Sequence, residues 1–193
     1  MTIESALIIA VPEAEPLVKA WRDRFDSSAA QGVPAHITIL YPFMPPDKIT
    51  PEVLADLREF FAQFAAFEFT LSETHRFPTV LYLVPSPAEP FKALTQAVVE
   101  RYPDYPPYGG EYAVSDLTPH LTIADRLEAA QLDDFEREFR QQHGAQLPVK
   151  AKANEVLLIE NTPGQWGVRE TFELSRQGHQ PHTTPYLDNK RHS

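Results

Sequence analysis

Two stretches of this chain spell out the same order of elements, and that repetition limits its possible folds more than any other feature. Leu7-Ile8-Ile9-Ala10-Val11-Pro12-Glu13-Ala14-Glu15-Pro16 is matched by Leu81-Tyr82-Leu83-Val84-Pro85-Ser86-Pro87-Ala88-Glu89-Pro90. Each reads as a buried strand, a proline-marked turn, then Ala-Glu-Pro opening a helix, because proline suits the first helical turn. The helices that follow keep one apolar face, with Leu17, Val18, Trp21 and Phe25 in the first and Phe91, Leu94 and Val98 in the second.

A loop and a strand come next in both halves: Ala35-His36-Ile37-Thr38-Ile39-Leu40 and Pro119-His120-Leu121-Thr122-Ile123-Ala124. A second helix follows each strand. In the first half Thr50 suits the N-cap, Pro51 the N1 position, and Val53, Leu54, Leu57, Phe60, Phe61 and Phe64 form the stripe. In the second half the stripe is Leu132, Phe135 and Phe139. Alternating strands, Phe67–Leu71 and Val149–Ala153, close the halves, and further strands are expected at Val80–Val84, Val156–Ile159 and Val168–Leu174. The period is too long for a solenoid. It predicts a duplicated β-α-β-α-β unit in a single domain over 1–176, made of two similar lobes. The polar stretch 177–193 reads as a disordered tail.

Composition narrows the class. With 42% hydrophobic and 23% charged residues, the 193-residue chain has the balance of a globular protein. No apolar run approaches the ~18 residues a bilayer span needs, and the run Ala6–Val11 lacks a preceding basic residue, so neither a membrane anchor nor a signal peptide is expected. Cysteine is absent, which removes disulfides, thiolate nucleophiles and cysteine-ligated metal sites. The expected setting is a cytoplasmic monomer. A net charge of −10 argues against coating extended nucleic acid, which depends on many lysine and arginine contacts to phosphate. It leaves room for a small phosphorylated ligand or an RNA end held in a local cleft.

The chemistry sits in the two H-x-T strands. Residues i and i+2 of a strand point the same way, so His36 and Thr38 share one face while Ile37 and Ile39 share the other. The same holds for His120 and Thr122 against Leu121 and Ile123. A bare H-x-T is a weak signal, since His182-Thr183-Thr184 in the tail fits it too. Two copies at matching positions of two similar halves are far more specific, and approximate two-fold symmetry would let both polar pairs face one cleft.

Pro34-Ala35-His36-Ile37-Thr38-Ile39-Leu40-Tyr41-Pro42-Phe43 and Thr118-Pro119-His120-Leu121-Thr122-Ile123 resemble the paired motifs of the two-histidine (2H) phosphoesterases. That superfamily includes the 2'-5' RNA ligase-like proteins and the cyclic nucleotide phosphodiesterases. The resemblance runs to about Arg176. It implies an α+β fold of two pseudo-symmetric lobes, with antiparallel sheets lining a central cleft and helices outside. It also implies catalysis with no cofactor and no metal, with His36 and His120 as the catalytic pair and Thr38 and Thr122 as phosphate-binding hydroxyls. The implied substrate is a 2',3'-cyclic phosphate or a 2'-5' phosphodiester of a nucleotide or RNA end, with RNA joining as the reverse reaction. Many relatives place a basic residue soon after the second motif; here Asp125 intervenes and Arg126 is the candidate.

Two imidazoles suit in-line displacement at phosphorus, because an unperturbed pKa of about 6.5 makes both protonation states accessible near neutral pH. Tyr41 and Phe43, just past the first motif, either line the cleft or serve as ordinary packing. The tyrosine-rich loop Tyr102–Tyr112 either stacks on a base or packs on the surface. Lys150 and Lys152 either attract phosphate or form a solvated edge. A cleft that grips phosphate without turnover is the alternative function. A zinc site on His36 and His120 falls short of the three protein ligands usual for catalytic zinc.

Overall fold

The computed structural model describes residues 3–161 and 164–176. The tail with its His182-Thr183-Thr184 triplet lies outside them. Eight strands among the described residues form two antiparallel four-stranded sheets. The first has the order β2-β1-β7-β8, built from β1 (Ser5–Ala10), β2 (His36–Leu40), β7 (Glu155–Asn161) and β8 (Trp166–Glu173). The second has the order β5-β4-β3-β6, built from β3 (Phe67–Phe77), β4 (Val80–Ser86), β5 (Leu121–Ala124) and β6 (Val149–Ala153).

The repeat survives in detail. β1 pairs with β2, and β4 pairs with β5, as the motif strands of the two sheets. Each pairing carries one register irregularity, between Leu7 and Ile8 in the first and between Leu81 and Tyr82 in the second, which are equivalent positions of the repeat. Such irregularities re-aim a strand, and here both leave the matching residues Ile39 and Ile123 of the motif strands without a register partner.

The halves nevertheless exchange strands. The repeat predicts a closing strand for each half, yet β3 and β6 both lie in the second sheet, while β7 and β8 return to the first. The reason is local. β3 runs on to Phe77, and only Pro78 and Thr79 separate it from β4, so the two form a hairpin that draws β3 into the sheet of β4.

Helices also cross between the sheets. α1 (Glu15–Phe25) follows β1 but packs on β5, and α4 (Glu89–Arg101) follows β4 but packs on β2. The backbone amide of Asp125 donates to the carbonyl of Phe25 at 2.7 Å on one side. On the other, Thr95 Oγ1 donates to the carbonyl of Ile39 at 3.0 Å. α2 (Ser27–Ala30) is a single turn after α1, with Asp26 accepting from the amide of Ser28 as its cap. α3 (Pro51–Phe61) starts as expected, with Pro51 in the first turn and Thr50 Oγ1 accepting from the amide of Val53. It lies on β8, where Phe61 stacks on Phe172. α5 (Ala129–His143) lies beside β4, and its Phe135 and Phe139 meet Trp21 of α1 edge-on. One apolar core joins both sheets, running through Leu7, Ile37, Leu83 and Leu121. Among the described residues no helix is long and apolar enough to cross a membrane.

Candidate active site

β2 and β5 are edge strands of their sheets and lie against each other, so the two motifs meet where the sheets do. Alternation holds as the period of two requires: Ile37, Ile39, Leu121 and Ile123 are buried, whereas His36, Thr38, His120 and Thr122 are half-buried.

The two rings are held in the same way. Nδ1 of His36 lies 2.8 Å from the carbonyl oxygen of Pro34, and Nδ1 of His120 lies 2.8 Å from that of Thr118. A carbonyl only accepts, so Nδ1 carries the proton in each neutral ring and Nε2 keeps its lone pair. His120 also sits against Phe77, nearly perpendicular at 5.1 Å between ring centroids, and against Tyr82 at 5.2 Å. These contacts fix the ring plane as well as its tautomer.

Two cavities of about 570 Å³ each open at this meeting point. His36 lines one and His120 the other, while Thr38, Tyr41 and Tyr108 belong to the walls of both. Burial pushes His36 down to about 4; the charges of Arg22 and His120 act in the same direction, opposed by the Pro34 carbonyl and Asp26. His120 is lowered as well, chiefly by burial, against the Thr118 carbonyl and the Asp125 carboxylate.

Other candidate residues divide. Tyr41 stands between the cavities; its hydroxyl donates to Glu4 Oε2 at 2.8 Å, and burial together with that carboxylate pushes the phenol up to about 12. Phe43 does not reach the cleft. It is buried and packs edge-on against Tyr102 and Tyr105, because β2 ends at Leu40 and the turn after it sends the ring into the core. Thr122 pairs across to Tyr82 and lines neither cavity, unlike Thr38. Arg126 has a left-handed backbone (φ 57°), its amide held by Asp125 Oδ1 at 2.7 Å, and its exposed side chain reaches the cavity of His36 rather than that of His120.

The tyrosine-rich loop splits as well. Tyr102 and Tyr105 support Phe43, whereas Tyr108, whose amide donates to the Tyr41 carbonyl at 2.8 Å, and Tyr112 face the cleft. Lys150 and Lys152 are exposed on the edge strand β6. Sequence reasoning missed the buried pair Arg22–Asp26, which lies close enough to His36 to shift it. An arginine four residues before an aspartate on a helix reads as a solvated pair, and nothing in the spacing reveals its burial. Among the described residues no three or more histidine, aspartate or glutamate side chains stand together as a metal-ligand set.

Residues 10–165 match the model of the 2'-5' RNA ligase superfamily. The chain belongs to that superfamily. Solved structures share the fold of this 2'-5' RNA ligase superfamily member. E. coli LigT complexed with 3'-AMP superposes with a TM-score of 0.58 at 15% identity, over 89% of this chain and 97% of that one. TT0787 of Thermus thermophilus gives 0.57 at 20% identity, over 91% and 100%. A protein of Bacillus pumilus (strain SAFR-032), provisionally named a phosphoesterase, is 26% identical over 167 residues, which is 85% of this chain and 92% of that protein.

Proposed function

We propose that this superfamily member is a phosphoesterase that uses His36 and His120 as an acid–base pair on a 2',3'-cyclic phosphate or a 2'-5' phosphodiester. One observation carries the reading: two imidazoles with the same tautomer line separate cavities that share the Thr38 wall. A phosphorus at that wall has a ring on either side, as in-line displacement requires. One Nε2 takes the proton of the attacking water as its oxygen bonds to phosphorus. The other imidazolium gives its proton to the ribose oxygen as that P–O bond breaks. Thr38 donates to a non-bridging oxygen, where charge builds in the transition state. With an alcohol in place of water the same motions join two ends; in the opposite direction they cleave a 2'-5' diester to a cyclic phosphate and an alcohol. LigT in complexes with 3'-AMP and with ATP supports a nucleotide-type ligand for this cleft.

No metal has a part in this scheme. The test is a panel of 2',3'-cyclic nucleotides and 2'-5' dinucleotides with wild type, His36→Ala and His120→Ala, each with and without excess chelator. Each substitution is expected to cost on the order of 10²–10⁴ in turnover, the usual loss of a general acid or base. Wild-type activity should survive the chelator. Unchanged turnover by His120→Ala would refute the assignment. Phosphate protecting the cleft with no turnover of any member would favour a binding role.

A further inference from the structure

The cavities differ in chemistry although they match in size. Around His36 the wall combines aliphatic Ile8, Val33 and Ile159 with polar Glu4 and Gln31 and with Trp166, whose ring meets Tyr41 edge-on at 6.2 Å. Around His120 an apolar patch of Phe77, Pro78, Val114 and Leu117 stands beside Lys92, Glu111 and Asp116, with Tyr112 at the rim, 55% exposed. A volume of about 570 Å³ on each side falls in the range that encloses a small organic group, so a phosphorus at Thr38 has room for one such group in each direction. A cyclic mononucleotide fills one side only.

Charge sets the upper limit. Among the described residues Lys92 is the one lysine or arginine in the wall around His120, where Glu111 and Asp116 outnumber it; Arg126 is its counterpart around His36, balanced by Glu4. A bound nucleic-acid strand needs a run of cations along its phosphates. These walls offer one cation apiece and carboxylates beside them, in a chain of net charge −10. Both cations share their walls with carboxylates, three against two, so the cleft offers no net positive charge to phosphates added beyond the reacting one.

We infer that the substrate is a compact phosphodiester with one phosphorus and two uncharged organic arms, one arm in each cavity, rather than an RNA strand or a cyclic mononucleotide. This rests on the phosphoesterase reading above and follows its diester-cleaving direction. A hydroxyl of the retained arm bonds to phosphorus and gives its proton to one imidazole. The P–O bond to the other arm breaks, and the departing oxygen takes a proton from the second imidazole. The products are a cyclic phosphate and an alcohol, with no further reactant.

The experiment compares kcat/KM for a 2'-5'-linked diadenosine monophosphate, a 2',3'-cyclic adenosine monophosphate and a 2'-5'-linked adenosine tetramer. The dinucleotide is expected to exceed both others by at least about tenfold. Equal or better use of the tetramer or the cyclic mononucleotide overturns the two-arm inference and leaves the phosphoesterase reading intact. No turnover of all three overturns both.

Plugging variants supply a second readout. Leu117→Trp fills the cavity of His120 and Ser27→Trp narrows that of His36. Each should raise KM for the dinucleotide by roughly tenfold, while only one of them affects binding of the cyclic mononucleotide. A dinucleotide KM unmoved by both folded variants also overturns the inference. Val114→Trp replaces Leu117→Trp should that variant fail to fold.

Discussion

Arg22 Nε lies 2.9 Å from Asp26 Oδ2, and both side chains are buried, at 3% and 5% exposure. The guanidinium also donates to the Val33 carbonyl at 3.1 Å and to Ser28 Oγ at 3.2 Å, tying α1 and α2 to the loop before His36. The strand that carries His36 is thus anchored from behind by a desolvated ion pair.

Removing one partner strands the other charge in a dry setting. Arg22→Ala is expected to cost about 3–5 kcal/mol in urea unfolding, and the pair replacement Arg22→Met with Asp26→Leu should recover only part of it, because Asp26 also caps α2. The His36 ring should also titrate higher in Arg22→Ala, because a charge that lowers it is gone. A loss below about 1 kcal/mol would count against the anchoring role.

His36 makes stability depend on pH in a stated direction. Its folded value of about 4 lies below the ordinary 6.5, so between these values the unfolded chain binds a proton that the fold does not. Its contribution is fully present above pH 6.5 and is lost as pH falls toward 4. The half-buried ring keeps some solvent, which sets the loss on the order of 2 kcal/mol. Thermal unfolding of wild type and His36→Asn across this window should show a shallower pH slope in the variant; identical slopes would remove His36 as the source.

Activity should peak on the acidic side of neutrality. Acid–base catalysis needs one imidazole protonated and one free, and both rings are lowered. The bell-shaped profile of kcat/KM is therefore expected to have its maximum below pH 6.5, with the alkaline limb falling as the second proton leaves. A maximum above pH 8 would contradict the free-enzyme electrostatics.

Thr95 links helix to motif strand. Its buried hydroxyl donates to Ile39 and, at 3.1 Å, to Phe91. Thr95→Val keeps the volume and leaves the Ile39 carbonyl without this donor, which should cost about 1–2 kcal/mol by chemical denaturation. Turnover should fall less than in either histidine variant, since the hydroxyl positions a strand.

Much of the fold was legible because short-range rules decide it. The prolines at 16, 51 and 90 mark helix starts, and Thr50 caps one of them, as the first turn demands. The alternation His36-Ile37-Thr38-Ile39 settles which side chains enter the core. What stayed hidden depends on partners far along the chain. Phe77 reaches His120 only because β3 continues past Leu71 into a hairpin, and its own stretch of sequence alternates poorly. Arg22 turns inward only because Val33 and Asp26 wait there. Phe43 and Tyr41 are two positions apart beyond the same strand, yet one enters the core and the other the cleft, and the turn geometry that parts them leaves no pattern in the residue types.

The crossing of α1 onto β5 and of α4 onto β2 governs how the gap behaves. Each motif strand is braced by a helix rooted in the opposite half, so opening the halves like jaws would have to tear both braces away together. The two motif strands are thereby tied to each other through the helices as well as through their own contact.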